Sequence, residues 1–350
     1  MENNVTREKR RPRKYGSISI AFVLLTFAGI FIYGWITGDI AEAMNALGGV
    51  SLGYLGAALG CLALFVLLRA MCVVYFVRQN NRSLSLFAAI RVTLVGLYYS
   101  GITPASTGGQ PMQIYELSRN SVAPAIGTSA MLVETFGFQL AQLLIGAAML
   151  LTHWSYMNVL DAPMRWMLLT GYAVNVFFSV ILTIMLLKSR LVVTWVQGLI
   201  RFGGKLKLIR NPDATMRKII HHVEDYSATT KLLLKNPRLM IGAAVLALAQ
   251  TAAYFSILYF IVLGFGITGY SYGLILTMQT QLHLCTSLIP TPGASGAQEG
   301  GFVLFFRNII PDGLMLPVIL SWRFIQYYLT LILGAGFILA DAWTRRRIRG

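Results

Sequence analysis

Charged side chains set inside apolar stretches are the residues of this 350-residue sequence with chemistry to explain. Arg91, Glu134, Glu299 and Arg323 lie within apolar segments, and Glu116 and Arg119 stand close to one. A single such charge at the centre of a bilayer costs about 2.5–3.5 kcal/mol, so these groups are expected to be paired or to line a wet cavity. Two readings are open: ion pairs that tie helices together, or a charged wall that neutralises the head group of an amphipathic solute. Glu134 and Arg323 stand at nearly equivalent places in the two halves of the chain, so they are candidates to face one another.

A second set of residues recurs. Residues 103–110 read T-P-A-S-T-G-G-Q and residues 291–298 read T-P-G-A-S-G-A-Q, with Thr103, Pro104, Thr107, Gly108 and Gln110 matched by Thr291, Pro292, Ser295, Gly296 and Gln298. Pro104, Pro111, Pro290 and Pro292 cannot continue a helix, and Gly108, Gly109, Gly293 and Gly296 allow tight turns. Unwound backbone leaves N–H groups free to bind an anion such as a phosphate. Thr103, Thr107, Gln110, Ser295 and Gln298 add side-chain groups beside them, and Tyr115 follows the first tip. Together with the six charged residues these form the expected substrate path. The competing reading is that prolines and glycines merely shape the turns.

Other chemistry is not indicated. His153, His221, His222 and His283 have no cysteine or carboxylate cluster at metal-ligand spacing, and Cys61, Cys72 and Cys285 lie in apolar segments, where cysteine acts as a small hydrophobe. Neither tip has the spacing of a Walker A loop, and no Ser-His-Asp constellation is visible. The expectation is therefore no metal, no cofactor and no catalytic residues.

The elements that must position these groups follow from composition. The chain is 56% hydrophobic and 12% charged, with a mean hydropathy of +0.65. A soluble chain carries about a quarter charged residues, so this is an all-α polytopic membrane protein. The net charge of +16 does not point to nucleic acid, because 23 of the 29 Lys and Arg fall in residues 1–16, 77–83, 188–238 and 341–350. Such clusters mark the cytoplasmic side and attract anionic head groups.

The periodicity predicts six full spans: 17–35 (retained rather than cleaved), 52–76, 123–151, 166–187, 239–263 and 314–340. Residues 84–120 and 270–310, which carry the two tips, fit the positive-inside pattern only as hairpins that enter and leave on one side, the first from the cytoplasm and the second from outside. The domains read as a basic cytoplasmic arm (1–16), a first repeat (17–152), a second repeat (163–340) containing the basic loop 188–238, and a basic cytoplasmic tail (341–350). Within that loop, V-V-T-W-V-Q-G-L-I-R-F predicts a helix lying on the inner leaflet. The two halves form an inverted repeat in a cell-membrane protein with both termini cytoplasmic, an arrangement that puts substrate sites near the midplane at broken helices.

The strings P-A-S-T-G-G-Q-P-M-Q-I-Y-E-L-S-R (104–119), with Glu134 downstream, and I-P-T-P-G-A-S-G-A-Q-E (289–299) resemble the lysylphosphatidylglycerol synthase transmembrane-region, or flippase-like, family. The likeness covers essentially the whole chain. Pro104, Gly108, Gly109, Pro111, Tyr115, Arg119, Glu134, Pro292, Gly293, Gly296 and Glu299 match the family pattern. In two-domain members a cytosolic domain transfers an aminoacyl group from tRNA to phosphatidylglycerol. The membrane part is implied to carry the product to the outer leaflet, which gives resistance to cationic antimicrobial peptides. This chain stops ten residues after its last span, so it is not expected to be an enzyme by itself. The expected function is a flippase-like transporter of a phospholipid, anionic or aminoacylated, or of a polyprenyl-linked lipid. The alternatives are the membrane component of a phosphatidylglycerol lysyltransferase, and a partner that recruits a lipid-modifying enzyme through the basic loop. A homo-oligomer is left open.

Overall fold

The computed structural model describes residues 45–80, 82–155, 161–187, 236–287 and 289–349. The basic arm, the expected span 17–35 and nearly all of the loop 188–238, with its expected surface helix, lie outside the described residues. In chain order the elements are α1 (Leu52–Arg78), α2 (Leu86–Ile102), a 3-10 turn (Pro104–Ser106), α3 (Gly109–Arg119), α4 (Pro124–Thr152), α5 (Ala162–Leu187), α6 (Pro237–Gly264), α7 (Tyr272–Thr286), a second 3-10 turn (Pro292–Ala294), α8 (Ala297–Phe306) and α9 (Asp312–Arg323). A π turn over Phe324–Tyr328 then leads from α9 into α10 (Leu329–Arg349).

Five helical stretches among the described residues are long and apolar enough to cross a bilayer: α1, α4, α5, α6 and the composite of α9, the π turn and α10. They match five of the six expected spans to within a few residues. Large apolar side chains such as Leu52, Phe87, Leu151, Trp166, Phe177 and Leu339 face outward, as lipid-facing positions do and as a soluble surface would not.

Helix ends follow local chemistry. Ser85, Asn236 and Ser271 each accept a hydrogen bond from a first-turn N–H, those of Ala88, Leu239 and Leu274, which satisfies a donor that has no intrahelical partner. Pro124 and Pro237 occupy first-turn positions of α4 and α6, where the missing N–H costs nothing. The polar helix expected over 112–120 begins three residues earlier, at Gly109. Pro111 is tolerated because it is the third residue of α3, still within the turn whose N–H groups have no acceptor.

Between helices in lipid there is little hydrophobic driving force, so close packing at small residues carries association. A Cβ on Gly334 of α10 would come within 2.5 Å of the Leu94 carbonyl oxygen of α2, and one on Gly242 of α6 within 2.9 Å of the Tyr75 ring of α1. The pairings are reciprocal. α1 packs along α6; the first arm of the first hairpin, α2, lies on α10; and the first arm of the second, α7, lies on α4. The two hairpin tips pack against each other, and the second tip also touches α2. One buried cluster is built around Phe65, Ile257, Phe302 and Trp322, and another around Phe76, Val92, Leu117 and Met131.

Candidate functional site

The tips have the same backbone at their matched start. Thr103 (φ −114°, ψ 144°) and Thr291 (φ −110°, ψ 149°) are extended, as residues before proline prefer. The next two positions after each proline are left-handed: Ala105 and Ser106 at φ 50° and 56°, Gly293 and Ala294 at φ 60° and 50°. Three of the four are not glycine. Such strain persists only where the surroundings enforce it, and it gathers at working sites. The copies then part: Thr107 turns helical, whereas Ser295 stays extended and Gly296 takes φ 86°.

In the first tip, Thr103 Oγ1 donates to the Tyr99 carbonyl at 2.6 Å and accepts from the Gly108 N–H at 2.9 Å. The exposed Thr107 hydroxyl donates to the Pro104 carbonyl at 3.0 Å, and Gln110 Nε2 donates to Thr135 Oγ1 on α4 at 2.8 Å. The arms touch where side chains are absent: a Cβ on Gly109 would meet Ser100 Oγ at 1.9 Å and the Gly96 carbonyl at 2.9 Å.

The second tip is built around Arg323. Its Nε donates to Glu299 Oε1 at 2.6 Å, and its Nη2 reaches the Gly293 carbonyl and Ser295 Oγ, each at 3.2 Å. Glu299 Oε2 in turn accepts the Gly296 N–H at 2.7 Å, capping α8. The guanidinium lies 4.6 Å over the Tyr327 ring, and Tyr327 donates its hydroxyl to the Gly101 carbonyl in the first hairpin at 2.9 Å. Gln298 is buried beside this group, and Pro290 sits in the bend that leads into the tip.

A third cluster stands at the base of the first hairpin. Arg91 and Arg119 pair with Glu116 and with Asp341 of α10 at 2.7–3.1 Å. The bond to Asp341 holds the Arg119 guanidinium above its ordinary value. It walls a cleft of about 250 Å³ that Tyr115 also lines.

Glu134 and Arg323, candidates for facing partners in the sequence, each close a pair elsewhere: Glu134 with Arg69 of α1 at 3.0 Å, Arg323 with Glu299. Sequence reasoning passed over Arg69 and Asp341. Arg69 was legible by the same cost criterion as the others, being an arginine in the middle of an apolar span. Asp341 stands one residue past the expected end of the last span, and only the fold brings it to the hairpin. Gln250, Gln279, Gln281 and Gln326 are also buried in spans and hairpin arms, a polar content that a charge-based scan does not register. No group of three or more potential metal ligands occurs among the described residues.

Residues 17–334 match the sequence model of a family described as the lysylphosphatidylglycerol synthase TM region. The chain is also 23% identical over 269 residues to a protein of Archaeoglobus fulgidus named a UPF0104 membrane protein, an alignment covering 72% of this chain and 75% of that one. The helical architecture, the paired tips and a match over nearly the whole length agree, and the chain belongs to the lysylphosphatidylglycerol synthase transmembrane-region family.

Proposed function

We propose that the protein is a flippase-type transporter that moves a phospholipid between the leaflets of the cell membrane. The observation that carries this is the meeting of two matched, broken-helix tips beside a buried Arg323–Glu299 pair. Irregular backbone at membrane depth is tolerated only where protein buries it or water reaches it, and in transporters built from inverted repeats it marks the substrate site. The reciprocal packing of α2 on α10 and α7 on α4 supports that reading, since each hairpin rests on the last span of the opposite half. In this reading both hairpins are re-entrant, the first from the cytoplasm and the second from outside, with both termini cytoplasmic. The tips form one closure at the midplane; parting them admits a head group, whose charge Arg323, Glu299, Arg91, Glu116 and Arg119 offset along the way.

The family description, which names a synthase TM region, supports a lipid as the cargo. Reconstitution tests the proposal. Proteoliposomes containing phosphatidylglycerol or an aminoacyl-phosphatidylglycerol should equilibrate leaflet-specific label faster than protein-free vesicles. Rates equal to empty vesicles for both lipids would sink it.

A further inference from the structure

One turn of the last span holds both hairpin tips. Arg323 ends α9, and Tyr327 lies four residues on, inside the π turn Phe324–Tyr328. Such a local widening of a helix is frequent at functional sites. The two side chains stack, with the guanidinium 4.6 Å from the centre of the Tyr327 ring. Arg323 takes the second tip: its Nη2 donates to the Gly293 carbonyl and to Ser295 Oγ, each at 3.2 Å. Tyr327 takes the first hairpin: its hydroxyl donates to the Gly101 carbonyl at 2.9 Å, 226 residues away in sequence.

That bond meets a need on both sides. Gly101 stands in the last turn of α2, whose final four carbonyls lack an intrahelical N–H. The chain beyond it turns left-handed at Ala105 and Ser106 instead of continuing the helix. Gly101 and Tyr327 are both buried, and a buried tyrosine hydroxyl needs a hydrogen-bond partner. The acceptor it uses belongs to the hairpin of the opposite half, so the bond lasts only while that hairpin stays against the last span.

The ring is also fitted between the tips. A Cβ on Gly101 would come within 3.2 Å of Tyr327 Cε2, and one on Gly293 within 2.7 Å of the Tyr327 hydroxyl. Ile102 and Leu331 pack with the ring, and the Ser295 side chain interacts with its hydroxyl. One glycine from each hairpin thus leaves room for the same side chain. The ring stands beside Arg323, the cation that an anionic head group would seek.

We infer that Tyr327 is the latch of the closure: its hydroxyl holds the tips together, and its release precedes passage of a head group. The inference rests on the transport reading and names the residue that regulates that path. Removing the hydroxyl weakens only the closed state, because the bond is made only there. Phenylalanine keeps the ring under Arg323, so the bonds of the second tip remain.

The test is Tyr327→Phe in the full chain. Leaflet-specific label on phosphatidylglycerol in proteoliposomes reads transport. Hydrogen exchange in peptides covering residues 103–110 and 291–298 reads opening, and a thermal melt reads the fold. The variant should speed both label equilibration and exchange at the tips about three- to fivefold, which is what one net hydrogen bond is worth as an equilibrium constant. Its melting temperature should stay near wild type. A side chain that served packing alone would move the other way, with a lower melting temperature and slower transport. Where the wild type transports, unchanged exchange or transport no faster in the variant overturns the inference and leaves the transport reading intact. Loss of the folded variant overturns it as well. Where neither protein moves lipid yet the tips of the variant exchange faster, the transport reading falls and the latch stands as a conformational device. Neither transport nor faster exchange removes both.

Discussion

Glu299 accepts from two donors at once, the Gly296 N–H at 2.7 Å and Arg323 Nε at 2.6 Å. It therefore caps α8, offsets the positive end of that helix and neutralises a guanidinium whose side chain is only 6% exposed. Breaking a buried pair by removing one partner costs about 3–5 kcal/mol, because the other charge stays buried. Glu299→Gln should accordingly lower the unfolding temperature of the detergent-solubilised protein clearly, and by more than Thr107→Ala, whose hydroxyl is exposed and bonds only within its own turn. Equal shifts would show that the pair is not what holds the second tip. The Arg69–Glu134 pair gives a sharper form of the same argument, since Glu134 keeps 1% of its side-chain surface. Arg69→Met alone strands that carboxylate. Adding Glu134→Leu should recover most of the lost stability, because replacing both members of a buried pair by apolar groups is often neutral. A double variant as unstable as Arg69→Met would point to a need for charge at that level. All six charged groups singled out in the sequence pair in the described fold at 3.1 Å or closer. What spacing alone did not reveal was who pairs with whom, since those partners are 24 (Glu299–Arg323) to 250 (Arg91–Asp341) residues apart except for Glu116 and Arg119.

The hairpins were legible as elements because Thr-Pro followed by glycines inside apolar sequence has few other readings. Their starts could be placed only roughly: the first residues of α3 look like loop in sequence, yet Gly109, Gln110 and Pro111 form its opening turn. The left-handed Ala105, Ser106 and Ala294 were not legible at all, since alanine and serine carry no signal for that conformation. The arms of the first hairpin make a distinct prediction. Gly109→Ala places a methyl against the Gly96 carbonyl, a backbone atom that cannot swing aside. It should open the hairpin, destabilise the protein by about 1–3 kcal/mol as overpacking does, and slow any transport. Gly60→Ala in α1 meets nothing within 4 Å and should be neutral or slightly stabilising, since alanine favours a helix over glycine by about 1 kcal/mol. Matching thermal melts for the two variants would mean that close approach of the arms does not matter.

At the scale of the whole molecule, charge asymmetry and the repeated string predict opposite orientations for the two hairpins, and the fold shows that each first arm lies on the last span of the other half. That exchange could not be read from sequence, because it depends on which helices find each other through small residues such as Gly334. It makes orientation testable with two exposed positions. Ala123, at the start of α4 just after the first hairpin, belongs to the cytoplasmic side in the proposed topology. Asn308, just after α8, belongs to the outer side. In a background with Cys61, Cys72 and Cys285 replaced, Asn308→Cys should react with an impermeant maleimide added to intact cells. Ala123→Cys should react only once the membrane is opened. If both positions label from the same side, the two tips enter from one face, the inverted arrangement is lost, and a midplane closure formed by opposed hairpins goes with it. Labelling from opposite sides would leave the tips as the point where paths from the two leaflets meet, because the two turns, one from each half, are in contact.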